Sequence, residues 1–114
     1  MLIDVFSSFC NDVALPLQER CINMNQVGWR VFTQFCLKSN NETMLSSLFD
    51  LLLTQEEKES IAMRCLIVVE LLKQEKTQRT IAEDLHVSIA KITRGSNELK
   101  RMPPKLIEFL KENM

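Results

Sequence analysis

Residues 44–53 constrain the fold more than any other stretch, because Met44, Leu45, Leu48, Phe49, Leu51, Leu52 and Leu53 occupy nearly every angle of a helical wheel. A helix that is apolar all round has to be covered all round. The chain has 114 residues, room for one domain that leaves much of its surface exposed unless it associates. Such a domain can scarcely surround this helix by itself, so the covering surface is expected to come from a second copy of the chain. Two Gly, three Pro and no Tyr, with Leu, Ile, Glu and Lys abundant, describe a helix-rich protein, and the expected fold class is all-α.

The rest of the chain divides around that helix. Residues 1–24 carry a Pro16 and no period, and read as an N-terminal lead-in to a helical domain over residues 25–114. Val27, Val31 and Phe35, flanked by Trp29 and Phe32, recur at spacings of three and four, which predicts a helix ended by the polar run Lys38-Ser39-Asn40-Asn41. Thr54-Gln55-Glu56-Glu57 is a capping box that opens a new helix, whose apolar face is traced by Ile61, Cys65, Val68 and Leu72. Pro103-Pro104 breaks the chain after Arg101 and starts a short helix over residues 105–111, with Leu106, Phe109 and Leu110 on its apolar face.

Several function classes drop out at this level. Cys10, Cys21, Cys36 and Cys65 include no C-x-x-C, and the single His86 has no partner at ligand spacing, so neither a metal site nor a disulfide framework is expected. Cysteines among apolar neighbours, as in Phe35-Cys36 and Cys65-Leu66, suit a reduced protein of the cytoplasm. The apolar stretches 51–53 and 65–69 fall far short of the roughly 18 residues needed to span a bilayer, so no membrane partner is expected. No nucleophile, base and orienting group assemble around His86, which leaves no catalytic residues, no enzyme reading and no cofactor.

Net charge is −1, yet its distribution is uneven: residues 1–50 hold three basic and five acidic groups, residues 51–76 four and five, and residues 77–105 six and three. The one basic segment also carries a helix-turn-helix pattern over residues 78–100. Ile81 and Leu85 point inward from its first helix, and small Ala82 stands where two helices would touch. His86-Val87-Ser88 forms the turn, Ser88 caps the next helix, and Ile92 and Leu99 bury its inner face. The opposite face presents Ala90, Lys91, Thr93, Arg94 and Asn97, which are short or basic, as a helix entering a major groove requires. The competing reading is a generic pair of packed amphipathic helices.

Gln78-Arg79, the run Ile89-Ala90-Lys91-Ile92-Thr93-Arg94-Gly95-Ser96-Asn97 and Leu99-Lys100 resemble the Trp repressor family, whose reading helix carries an I-T-R-G-S-N run. Trp29, Leu51, Leu53, Thr54, Arg64, Ile67-Val68, Glu70-Leu71-Leu72, Glu75, Leu85 and Leu110 fall on the same pattern without gaps, so the resemblance covers about three quarters of the chain. It implies an all-α, six-helix intertwined homodimer with a helix-turn-helix DNA-reading head, repressing tryptophan genes when L-tryptophan is bound as corepressor. By that resemblance Arg64 and Arg94 hold the ligand carboxylate and sandwich the indole. Gly95, Val68 and Thr54 line the pocket, and the backbone carbonyls of Leu51 and Leu53 arrive from the other subunit. On double-stranded operator DNA, Arg79 is the candidate for a bidentate guanine contact, with Gln78 beside it. Ile89, Ala90, Lys91 and Thr93 are placed at base edges and Lys100 near phosphate.

The chemistry of these residues agrees, since two guanidiniums suit one carboxylate and lie flat on an aromatic face. Taken alone, however, Arg64 also reads as a solvated helix arginine. Gly95, which costs a helix roughly 1 kcal/mol relative to Ala, also reads as a packing contact. Glu98 stands where the family has Ser beside the ligand's ammonium, and either pairs with that group or is solvated. His86 and Ser88 replace turn glycines, so His86 must adopt the left-handed conformation if the turn keeps its shape. Ala82 and Lys91 replace residues that the family places at or near DNA. A constitutive helix-turn-helix repressor without ligand and a helical protein-interaction adaptor remain as alternatives.

Overall fold

The computed structural model describes residues 23–114, so the lead-in expected over residues 1–24, together with Cys10 and Cys21, lies outside the described residues except for its last two positions. Among the described residues there are six α-helices and no strand: α1 Met24–Lys38, α2 Glu42–Leu52, α3 Gln55–Lys73, α4 Gln78–Leu85, α5 Ile89–Lys100 and α6 Pro104–Glu112. They fall into two compact units, one ending at Leu53 and the other running from Thr54 to Met114.

In the first unit the polar run between α1 and α2 does two jobs. Ser39 closes α1, its hydroxyl donating to the Phe35 carbonyl at 2.8 Å, and Asn41 opens α2 by accepting from the Met44 amide at 2.7 Å. Phe32 of α1 meets Phe49 of α2 with ring centroids 6.1 Å apart, and Trp29 stacks against Phe32 at 5.2 Å. Helix α2 has no buried residue at all in the single chain, and Leu51 is 80% exposed.

The second unit holds the core formed by Ile67, Ile81, Ala82 and Ile92, with Met63, Leu71, Leu85 and Val87 packed against it. The expected capping box starts α3: the Glu57 amide donates to the Thr54 hydroxyl at 3.2 Å and the Thr54 amide to the Glu57 carboxylate at 2.9 Å. That backbone hydrogen bond lowers the Glu57 carboxyl below its ordinary value. The face of α3 that packs differs from the one read in the sequence. Ile61 and Cys65 are exposed and Val68 and Leu72 half-buried, whereas Met63, Ile67 and Leu71 on the other side meet α4 and α5. Both stripes are apolar and helically spaced, and a hydrophobic period cannot say which of two apolar faces meets the neighbouring helices of the same chain.

Caps set the ends of α4 and α5 where the sequence placed them. Thr77 accepts from the Thr80 amide at 3.2 Å and Ser88 from the Lys91 amide at 3.4 Å. His86 adopts the left-handed conformation, φ 56°, and the turn closes with Val87 N–H donating to the Ala82 carbonyl at 3.0 Å. Gln74, at the end of α3, is also left-handed. In the connector that follows, Lys76 bridges the Glu70 carboxylate of α3 at 3.4 Å and the Asp84 carboxylate of α4 at 2.8 Å. The hydrogen bonds to Asp84 and then Glu70 raise the Lys76 ammonium above the usual lysine value.

Ile92 is 0% exposed and sits at the centre of this core. Ile92→Ala is therefore expected to cost about 2–5 kcal/mol, read from urea unfolding at fixed protein concentration. A loss under about 1 kcal/mol would contradict the packing described.

Candidate nucleic-acid interface and adjoining cavity

The core divides the surface of α5 in two. Ile92 faces α3 and α4, with half-buried Gly95, Ser96 and Leu99 along the same side, while Ile89, Ala90, Lys91, Thr93, Arg94, Asn97 and Lys100 are exposed. Gln78 and Arg79, in the first turn of α4, are exposed as well, and the Thr93 hydroxyl donates to the Gln78 side-chain oxygen at 2.9 Å. The first turn of α4 is thereby tied to α5 through two side chains that the sequence analysis expects at DNA. The sequence-derived DNA set, Gln78, Arg79, Ile89, Ala90, Lys91, Thr93 and Lys100, is exposed throughout.

Between α3 and α5 lies a cavity of about 480 Å³, a size within the range of about 300–1,000 Å³ usual for small-ligand sites. Five residues of the sequence-derived ligand set come together on its wall: Arg64 and Val68 from α3, and Arg94, Gly95 and Glu98 from α5. The spacing explains why, since positions 64 and 68 share one face of α3 and positions 94, 95 and 98 one face of α5. Thr54 is not on this wall; its side chain caps α3. Leu51 and Leu53 belong to the other unit and are not on the wall either.

Ser60, Met63, Ile67 and Lys91 complete the lining, and sequence reasoning missed them as ligand-side residues. The signal was available, because 60, 64 and 67 stand four and three apart on α3 and 91, 94 and 98 three and four apart on α5, each set on one helical face. Gly95 brings the two helices together: a β-carbon there would lie 3.1 Å from Ile67 Cγ2 and 3.5 Å from Leu71 Cδ1. The glycine thus serves the crossing of α5 on α3 as well as the cavity wall.

Charge around the cavity is unbalanced. Arg64, Arg94 and Lys91 line it, and among the described residues none of the three has a carboxylate within ion-pair distance. Glu98 is the one carboxylate on the wall, and Arg101 Nη1 already reaches it at 3.4 Å. Unpaired cations on a partly apolar wall favour an anionic ligand.

The family model described as Trp repressor protein matches residues 27–114. The chain belongs to the Trp repressor protein family. It is 45% identical over 92 residues to the Trp operon repressor homolog of Chlamydia trachomatis serovar D, covering 81% of this chain and 98% of that relative. The homolog of Chlamydia caviae is 49% identical over 87 residues, 76% of this chain and 86% of the relative. That of Histophilus somni strain 2336 is 37% identical over 93 residues, 82% and 88% of the two chains. The helix-turn-helix expected over residues 78–100 coincides with α4, its turn and α5, and the cavity adjoins α5.

A β-carbon at Gly95 meets the tip of Ile67, and a β-branched side chain adds two methyl groups next to that contact. Gly95→Val is expected to destabilise by about 1–3 kcal/mol through overpacking. Gly95→Ala is expected to be near neutral, since its gain in helix propensity, about 1 kcal/mol, offsets the tight contact. Chemical denaturation of both variants checks this, and stabilisation by Val would contradict the close crossing.

Proposed function

We propose that this chain is a sequence-specific DNA-binding transcriptional repressor of tryptophan-related genes, working as a homodimer in the bacterial cytoplasm with L-tryptophan as corepressor. One observation carries the reading: Arg64 of α3 and Arg94 of α5, neither with a counter-ion among the described residues, face each other across a cavity on the flank of the helix read as entering DNA. Two guanidiniums grip one carboxylate and offer flat faces to an indole, and Val68 and Gly95 give the ring an apolar floor. Membership in the family, with relatives called Trp operon repressor homologs, supports tryptophan as that ligand.

The dimer is supported by α2, which exposes Met44, Leu51 and Leu52 in a single chain, and by the exposed Trp29 and Leu37 of α1. Exposed apolar area on this scale marks an interaction surface. In the dimer the carbonyls of Leu51 and Leu53 reach the ligand from the second subunit, in keeping with their absence from the cavity wall of one chain, while Thr54 serves as the cap of α3.

Ligand binding works by population shift: tryptophan between α3 and α5 favours the head orientation in which both copies fit successive major grooves, a coupling of about 1–3 kcal/mol. Arg79 makes the bidentate guanine contact with Gln78 beside it, Ile89, Ala90, Lys91 and Thr93 stand at base edges, and Lys100 lies near phosphate.

A gel shift on a tryptophan-operon-type operator tests the whole reading. Retardation is expected to strengthen with L-tryptophan; retardation that ignores tryptophan would mark a constitutive repressor, and no salt-sensitive DNA binding would mark a helical adaptor. Arg79→Ala is expected to cost about 1–3 kcal/mol per half-site and to relax sequence preference, while Lys100→Ala weakens all DNA alike. Equal losses on operator and random DNA for Arg79→Ala would overturn its assignment.

Glu98 is expected to face the ligand's ammonium, so indole-3-propionate should bind more weakly than tryptophan. Arg101 also partners this exposed carboxylate, which keeps the gap modest, about 1 kcal/mol or less. Calorimetric titration of both ligands checks it, with Glu98→Ser expected to narrow the gap. Equal binding by the unaltered protein would make Glu98 a bystander.

A further inference from the structure

Lys91 stands at a junction that neither the ligand reading nor the DNA reading explains by itself. It lines the cavity together with Arg64, Arg94 and Glu98, yet it also belongs to the first turn of α5, three residues after the Ser88 cap and next to exposed Ile89 and Ala90. Its ammonium has no ion pair among the described residues. The first turn of α5 holds no acidic residue. A cation there opposes the helix dipole, whose N-terminal end attracts anions.

The cavity also holds one cation too many. A single ligand carboxylate is satisfied by the two planar guanidiniums, and the ammonium of an amino acid is served by Glu98, so Lys91 is left over. Once a ring sandwiched by two guanidiniums fills the space, neither a carboxylate nor a free ring face is left for Lys91, and its ammonium keeps its water by turning out to solvent, where the residue is already exposed. Its four-carbon stem lets the head group move several ångströms without moving the helix.

We propose that Lys91 is a ligand-gated phosphate contact: its ammonium shares the cavity when the cavity is empty, and occupancy by the ligand turns it out toward the DNA backbone at the N-terminus of α5. This rests on the reading of the cavity as the corepressor site, and it replaces the base-edge role given to Lys91 by resemblance. It adds a route from ligand to DNA that needs no movement of the helix, since one side chain belongs to both sites.

The test compares full-length protein with Lys91→Ala and Lys91→Arg, using operator binding over a salt series with and without saturating L-tryptophan, and calorimetry for the ligand. In the unaltered protein the salt dependence of operator affinity should steepen when tryptophan is added, by about 1 in log–log slope per subunit, the share of one phosphate contact. Lys91→Ala should abolish that steepening, Lys91→Arg should keep it, and the tryptophan affinity of Lys91→Ala should equal or exceed that of the parent. A tenfold weaker tryptophan affinity in Lys91→Ala would overturn the proposal by making Lys91 a ligand contact. Loss of operator preference with an unchanged slope would overturn it by making Lys91 a base contact. If the unaltered protein binds no tryptophan, the corepressor reading falls and this proposal with it; if it binds tryptophan and Lys91→Ala steepens like the parent, the proposal falls alone.

Discussion

Everything the second unit can do depends on how closely α5 crosses α3. Gly95 on one helix and Ile67 on the other meet so tightly that a β-carbon would sit 3.1 Å from the isoleucine. Ala82 gives a second small residue in the same core, beside Ile81 and Ile92. Close crossing aligns one face of α5 with one face of α3, and that alignment gathers Arg64, Val68, Arg94 and Glu98 around a common space. A bulkier contact would hold the helices apart and widen the cavity, because packed interiors transmit a misfit of even one methylene.

The same crossing explains how one helix can serve two surfaces. Twelve residues of α5 supply an inner edge to the core, one flank to the cavity and the outer face to solvent. A ligand on the flank is never more than one helix diameter, about 10–12 Å, from whatever the outer face touches. Short range of this kind suits a two-state head that a small molecule biases directly, without a relay of side chains across the protein.

Local signals in the sequence were strong where a single residue type decides a backbone geometry. Thr54, Ser88 and the double proline mark the starts of α3, α5 and α6 because a hydroxyl or an absent N–H acts within one turn, whereas the Thr77 cap of α4 was not read. Left-handed His86 was legible because the turn demanded that conformation whatever residue filled it. Gln74 was not, since nothing in its neighbours marks it as more than a helix residue. The packed face of α3 was misread for a related reason: two apolar stripes on one helix look alike until the partner of each is known. Of the site, the arginine pair and Gly95 were legible through the family pattern, whereas Lys91 was assigned to a single surface because a linear motif cannot express that one side chain borders two.

The Lys76 bridge from Glu70 to Asp84 has a consequence for any study of this protein in solution. These groups are partly exposed, and their attraction weakens as ions screen it over the Debye length, about 10 Å at 0.1 M salt. Raising salt therefore weakens the ion-pair link between α3 and α4 at the same time as it weakens the hold of cationic side chains on DNA phosphates. The two effects have the same sign, so ionic strength acts on a link inside the reader as well as on its hold on what it reads.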